Sequence, residues 1–279
     1  MSEYESSRLK KVEESSTLAM AALAREYKSK GVDVISLSLG EPDFKTPDHI
    51  CEGAKRSIDS GKFFSYPPVP GYLDLREAIS EKFKNENNLN YSPNEIIVSN
   101  GVKHSITNVM FSILNPGDEV IVFAPFWVSY SAIITLADGI PKNINTTIKN
   151  DFKPTQEQLK KAITNKTKAI IFSSPCNPTG TVFTKSDLED YRKILIEHPE
   201  IIIISDEIYE HINFSDDHVS IGSLEGMNNR TITLNGFSKG FAMTGWRLGY
   251  IGAPSEIAKS INKMQGQTTS ANCSTLHVF

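Results

Sequence analysis

From Glu95 onward, short runs rich in Val and Ile alternate with segments whose apolar residues recur every three or four positions, the pattern of alternating strands and helices. EIIVSN (95–100) reads as a strand followed by a helix to about Leu114, and EVIVFAP (119–125) as the next strand. KAIIFSSP (168–175), IIIISDEIY (201–209) and TITLNGF (231–237) read as further strands. QEQLKKAI and KSDLEDYRKILIEH have helical spacing, the second with Thr184 and Ser186 as candidate caps. Runs this continuously apolar are strands buried on both faces, so the pattern predicts a mostly parallel sheet covered by helices, an α/β/α arrangement of three layers. Before Glu95 the pattern changes to a helical Leu18–Lys28, a turn-rich LSLGEPDFKTP and SYPPVPGY.

In such sheets ligands gather outside the carboxyl ends of the strands. Those ends carry Asn100-Gly101, Ala124 to Trp127, Pro175 to Pro178, Asp206-Glu207 and Gly236 to Lys239. An isolated Asp206 at a buried strand end reads as a helix cap or a structural ion pair. It is not isolated, because Lys239 and Arg247 follow on neighbouring segments and Gly101 opens a helix whose N-terminus suits a phosphate. An arginine can hold the same phosphate through a forked pair of hydrogen bonds. A phosphate site, a buried carboxylate and a lysine nucleophile together match the needs of pyridoxal phosphate. No glycine-rich nucleotide fingerprint follows any of the strands, and no His or carboxylate cluster suggests a metal.

The segments LSLGEPDFKTPDHI, YPPVPGYLDLREAI, SNGVKHSI, NPGDEVIVFAPFWVSY, SSPCNPTGTVF, SDEIYEHI and NGFSKGFAMTGWRLGYIGAP resemble, in order and interval, the class I pyridoxal-phosphate-dependent aminotransferases of fold type I, the aspartate aminotransferase-like group. The resemblance runs from about Gly31 to Thr269. It implies that Lys239 carries pyridoxal 5'-phosphate as a Schiff base and serves as catalytic base, that Asp206 bonds the pyridine nitrogen, and that Asn177 and Tyr209 contact the phenolic oxygen. It implies further that Trp127 stacks on the ring and that the Gly101, Val102 and Lys103 amides with Arg247 hold the phosphate. Gly40, Trp127 and Asn177 fall in stretches that touch substrate, and Tyr66 matches a tyrosine reaching the neighbouring subunit's phosphate, so a homodimer is implied. The Lys103 side chain either meets a substrate's distal carboxylate or points to solvent. Asn177 precedes Pro178, a bond that can be cis or lie in a plain turn.

The implied reaction is transamination between an amino acid and a 2-oxo acid, with aspartate and 2-oxoglutarate first and aromatic or prephenate-type substrates next. Gly236 departs from the pattern where many relatives carry a phosphate-touching serine. The chain ends at Phe279, its last residues SANCSTLHVF depart from the family, and no arginine follows Arg247. On that resemblance, residues 1–45 belong to a small domain whose C-terminal part is missing, and 46–279 form the cofactor-binding large domain. This predicts a truncated chain or fragment, with a catalytically silent cofactor-binding scaffold as the alternative.

Composition narrows the remaining classes. The 279 residues are 39% hydrophobic and 22% charged with a net charge of -4, which fits a globular protein without the basic face that nucleic acid or an anionic membrane would need. The polar, acidic N-terminus lacks a targeting pattern, and the longest aliphatic block, at 201–204, is too short to span a bilayer. Cys51, Cys176 and Cys273 are odd in number and widely spaced, which reads as reduced cytoplasmic thiols.

Overall fold

The computed structural model describes residues 4–215 and 218–277; Phe279, at which the truncation expectation was set, lies outside them. Seven strands form one sheet: β1 (Ile96–Ser99), β2 (Glu119–Ala124), β3 (Ile140–Asn145), β4 (Thr167–Ser173), β5 (Ile202–Asp206), β6 (Thr231–Gly236) and β7 (Gly249–Gly252). Their order across the sheet is β1-β7-β6-β5-β4-β2-β3. The pairs from β6 through β5, β4 and β2 to β3 are parallel, while β7 is antiparallel to both β6 and β1. β1 therefore runs with β6, and only β7 is reversed.

Eight α-helices accompany the described strands: α1 (Ser16–Ser29), α2 (Asp48–Asp59), α3 (Leu73–Asn87), α4 (Val102–Ile113), α5 (Ser129–Leu136), α6 (Gln156–Ala162), α7 (Lys185–Leu195) and α8 (Ser255–Thr268). Strand pleating sends alternate residues to opposite faces. Val120, Val122 and Ile171 thus pack with Ile106 and Met110 of α4, Ile134 of α5 and Ile261 of α8. Ile121, Phe123, Ile170 and Phe172 pack on the other face with Leu159 of α6 and Leu188 and Tyr191 of α7. A third cluster, with Phe83 of α3, Tyr91, Val98 and Tyr250, closes the β1–β7 edge.

Several boundaries differ from the sequence reading. β5 ends at Asp206, not Tyr209, because Glu207 leaves the ladder and residues 208–210 turn. β3 and β7 carry no strong apolar run. β3 is a largely solvent-facing edge strand, IPKNIN, and β7 is the four-residue GYIG. Thr184, not Ser186, caps α7, its hydroxyl accepting from the Asp187 N–H in a capping box.

The reversed strand begins with a glycine for a steric reason. Gly249 pairs with Ser99 on one side and Gly236 on the other. A Cβ on Gly249 would lie 2.6 Å from the Val102 nitrogen and 2.7 Å from the Gly101 carbonyl carbon, and one on Gly236 would lie 2.9 Å from the Gly249 Cα. The serine that many relatives place at position 236 has no room here without backbone movement. Gly249→Ala is expected to destabilise the chain by about 1–3 kcal/mol in urea unfolding, whereas Gly245→Ala, where a Cβ would meet nothing within 4 Å, is expected to leave the midpoint nearly unchanged.

Candidate active site

Because β1, β4, β5 and β6 run the same way, Ser99, Ser173, Asp206 and Gly236 end at one edge of the sheet. A cavity of about 910 Å³ opens there. Its lining includes Gly40, Val102, Lys103, Trp127, Asn177, Asp206, Tyr209, Lys239 and Arg247. Segments some 200 residues apart in sequence thus meet at one place. Gly101 itself sits just behind the lining. Tyr66 lies outside the cavity and is 92% exposed.

At the floor, Asp206 is 3% exposed. The Tyr130 hydroxyl donates to its Oδ2 at 2.6 Å and the Ile208 N–H to its Oδ1 at 3.3 Å. No cation among the described residues forms an ion pair with it, so neither alternative open in the sequence, cap or salt bridge, describes it. Burial raises its pKa to about 6, held back by the Tyr130 and Ile208 hydrogen bonds. Tyr130 was not singled out by the sequence, although it lies three positions after Trp127 on the first turn of α5.

At the rim, Gly101 adopts φ +80 as the N-cap of α4, a conformation glycine reaches without strain. A Cβ there would lie 2.4 Å from Nη2 of Arg247, so the missing side chain is the space the guanidinium occupies. Arg247 donates to the Thr244 carbonyl at 2.8 Å and the Asn100 carbonyl at 3.3 Å, and makes no ion pair among the described residues. The first N–H groups of a helix have no carbonyl partner within it. A guanidinium that makes no ion pair among the described residues thus converges with a helix N-terminus, which suits a dianionic phosphate.

Lys239 projects into the cavity between these poles. Its Nζ donates to the Gly40 carbonyl and lies 5.7 Å from the centre of the Tyr209 ring. Burial lowers its pKa, with Arg247 adding to the effect against the opposing pull of Glu41 and Asp206. The Asn177 amide donates to the Tyr209 hydroxyl at 3.4 Å, and the Asn177–Pro178 bond is cis. Burial pushes the Tyr209 phenol up to about 12. The Lys103 ammonium stands 4.9 Å from the centre of the Trp127 ring at the cavity wall, on a residue that stays solvent-exposed; burial, then Arg247, lowers its pKa.

Pyridoxal phosphate fits this donor set. An uncompensated buried carboxylate awaits a protonated ring nitrogen, an amine stands between, and an anion cradle lies opposite. The carboxylate also sets a stability test. Its folded pKa is raised, so its burden on the cofactor-free fold is absent below the unfolded value of 3.8 and grows as pH rises through about 6. Asp206→Asn is expected to stabilise the cofactor-free protein by about 2–3 kcal/mol at about pH 8, with the gain fading toward about pH 4, as read by urea unfolding across that range.

Comparison with known proteins gives the family. The family described as aminotransferase class I and II matches residues 32–278. The chain is 45% identical over 268 residues to an aspartate/prephenate aminotransferase of Cereibacter sphaeroides, covering 95% of this chain and 67% of that protein. It is 46% identical over 272 residues to an aspartate aminotransferase of a Bacillus species, covering 97% of this chain and 69% of that one. The fold superposes on the aspartate aminotransferase of Thermus thermophilus solved with maleate at a TM-score of 0.95, with 40% identity, covering 99% of this chain and 71% of that structure. This chain therefore spans about two thirds of the length of these relatives, and the silent-scaffold alternative finds no support among them. On the matched family, the two curated relatives and the shared fold, the chain belongs to the pyridoxal-phosphate-dependent aminotransferases of class I and II.

Proposed function

We propose that this chain transfers an amino group between aspartate and 2-oxoglutarate, working as a homodimer. The observation that carries the reading is the placement of Lys239 in one cavity between the buried Asp206 carboxylate and the Arg247–α4 anion cradle. Asp206 would hold the pyridine nitrogen, the Gly101, Val102 and Lys103 amides with Arg247 the phosphate, Asn177 and Tyr209 the phenolic oxygen, and Trp127 the ring face. When bound, the cofactor supplies an electron sink for the pair released when a substrate loses its α-proton.

The protein's own part is proton transfer and orientation. Burial disfavours the ammonium form of Lys239, which leaves its Nζ able to accept the proton leaving the substrate's α-carbon and, once protonated, to give one back. The bond from that amine to the Gly40 carbonyl supports a substrate contact for the N-terminal segment around Gly40. Asn177 and Tyr209 hold each other's orientation through their hydrogen bond.

Lys103 favours an acidic substrate. Its ammonium stands over Trp127 at the cavity wall without a carboxylate partner among the described residues, so an incoming distal carboxylate can meet a free cation there. Prephenate-type substrates, which share acidic groups with aspartate, are the second reading, supported by the similarity to the aspartate/prephenate aminotransferase of Cereibacter. The exposure of Tyr66 outside its own cavity supports a role across a subunit boundary. The three free thiols support a reducing, cytoplasmic setting.

Lys239→Ala, with cofactor added, is expected to lose on the order of 10²–10⁴-fold in transamination rate; full turnover in this variant would defeat the reading. Lys103→Met is expected to raise KM for aspartate about tenfold while leaving that for a neutral aromatic amino acid nearly unchanged, as measured by steady-state kinetics with both donors.

A further inference from the structure

Outside the cavity lining lies a buried polar cluster that none of the proposed chemistry uses. Its centre is Glu210, whose side chain is 5% exposed. It directly follows Tyr209 in the turn after β5. Its Oε1 accepts from the Lys82 ammonium and, at 2.6 Å, from Nδ2 of Asn235. Its Oε2 accepts from Nδ2 of Asn87 at 2.8 Å. Asn235 is 1% exposed and stands on β6, one residue before the segment leading to Lys239. Its Oδ1 accepts from the Gly236 N–H at 2.7 Å. Both ends of the Asn235 amide are therefore committed, one to Glu210 and one to the backbone where β6 leaves the sheet.

A second contact fixes the same segment from outside. The ring of His211, whose Nε2 lies 3.3 Å from Glu210 Oε1, packs against the residue after the lysine: a Cβ on Gly240 would approach it to 2.9 Å. Glu210 thus touches groups that border Lys239 on both sides, and it is covalently next to Tyr209, whose ring Lys239 overlies. We propose that Glu210 is a positioning residue that, through Asn235, fixes the exit of β6 and so the place of Lys239 over Tyr209. The inference rests on Lys239 being the reacting amine, and it assigns Glu210 no contact with substrate or cofactor. Burial works against the ionised Glu210 carboxylate, and Lys82 and Asn87 outweigh it and hold its pKa below the ordinary range; the oxygen so fixed in place is the acceptor for Asn235.

Glu210→Gln removes the charge of Glu210 while keeping an oxygen that can accept from Asn235, so a change at Lys239 seen with alanine and not with glutamine reports displacement and not loss of a charge. The test follows the pH dependence of Lys239 acetylation by acetic anhydride in the cofactor-free protein, read by peptide mass spectrometry beside urea unfolding. Glu210→Ala and Asn235→Ala are each expected to move the labelling midpoint by about half a pH unit or more toward that of an exposed lysine, the double variant no further than the larger single one. Glu210→Gln, which keeps an acceptor for Asn235, is expected to retain the parent midpoint. A midpoint unchanged in Glu210→Ala or Asn235→Ala, with stability alone reduced, overturns the proposal, as does a Glu210→Gln midpoint that moves as far as that of alanine. Should Glu210→Ala not fold, Asn235→Ala and Glu210→Gln decide. Labelling reads the surroundings of Lys239 whether or not the chain transaminates, so failure here is distinct from turnover by Lys239→Ala.

Discussion

The close approach of β7 to the turn between β1 and α4 is the constraint on which the site depends. β7 is the one reversed strand among the described residues, and its first residue lies between the last residues of β1 and β6. Because Gly249 and Gly236 carry no side chains, the N-terminus of α4 settles onto the sheet edge within contact of the backbone. That brings the anion-binding end of a helix from the first half of the chain to the lysine and arginine of the second half. A Cβ at Gly249 would press on the backbone of Gly101 and Val102, so Gly249 sets how near α4 comes to the reversed strand.

Around that contact the charges are unbalanced in a way an ordinary core avoids. Asp206 is buried with only a phenol and an N–H as donors, and Lys239, Lys103 and Arg247 face the cavity without carboxylates bonded to them. The buried Asp206 and the part-buried Lys239 cost the fold stability in this arrangement, which an oppositely charged ligand offsets, whereas Arg247 and Lys103 stay hydrated on exposed residues. A few ångströms away the opposite solution appears: Glu207 and Glu210 are just as buried but saturated by Ser205, Ser220, Asn87, Lys82 and Asn235. The contrast between a satisfied cluster and an unsatisfied one, on consecutive residues of one turn, separates scaffold from site.

Much of this was legible in the chain itself. The strand ends at Asn100, Pro175, Asp206 and Gly236 were readable because buried parallel strands carry nearly unbroken Val and Ile, and the residues just beyond them are those the cavity gathers. β3 escaped because an edge strand needs an apolar residue only where one face is covered, and only Ile144 of its six residues is buried. β7 escaped because a four-residue strand with two glycines has no periodicity to show; its identity lies in tertiary contact. Tyr130 and Glu210 were invisible for a related reason, since a residue that supports another through one hydrogen bond is marked by its partner's position and not by its neighbours in sequence.

The bond between Lys239 and the Gly40 carbonyl joins residues 199 positions apart. A carbonyl binds an ammonium more strongly than a neutral amine, so seating of the N-terminal segment and protonation of the lysine each favour the other by the same free energy. The strand of chain that covers the cavity is therefore also a gauge of the amine beneath it: withdrawing a proton from Lys239 loosens the segment's hold, and lifting the segment makes that proton easier to withdraw.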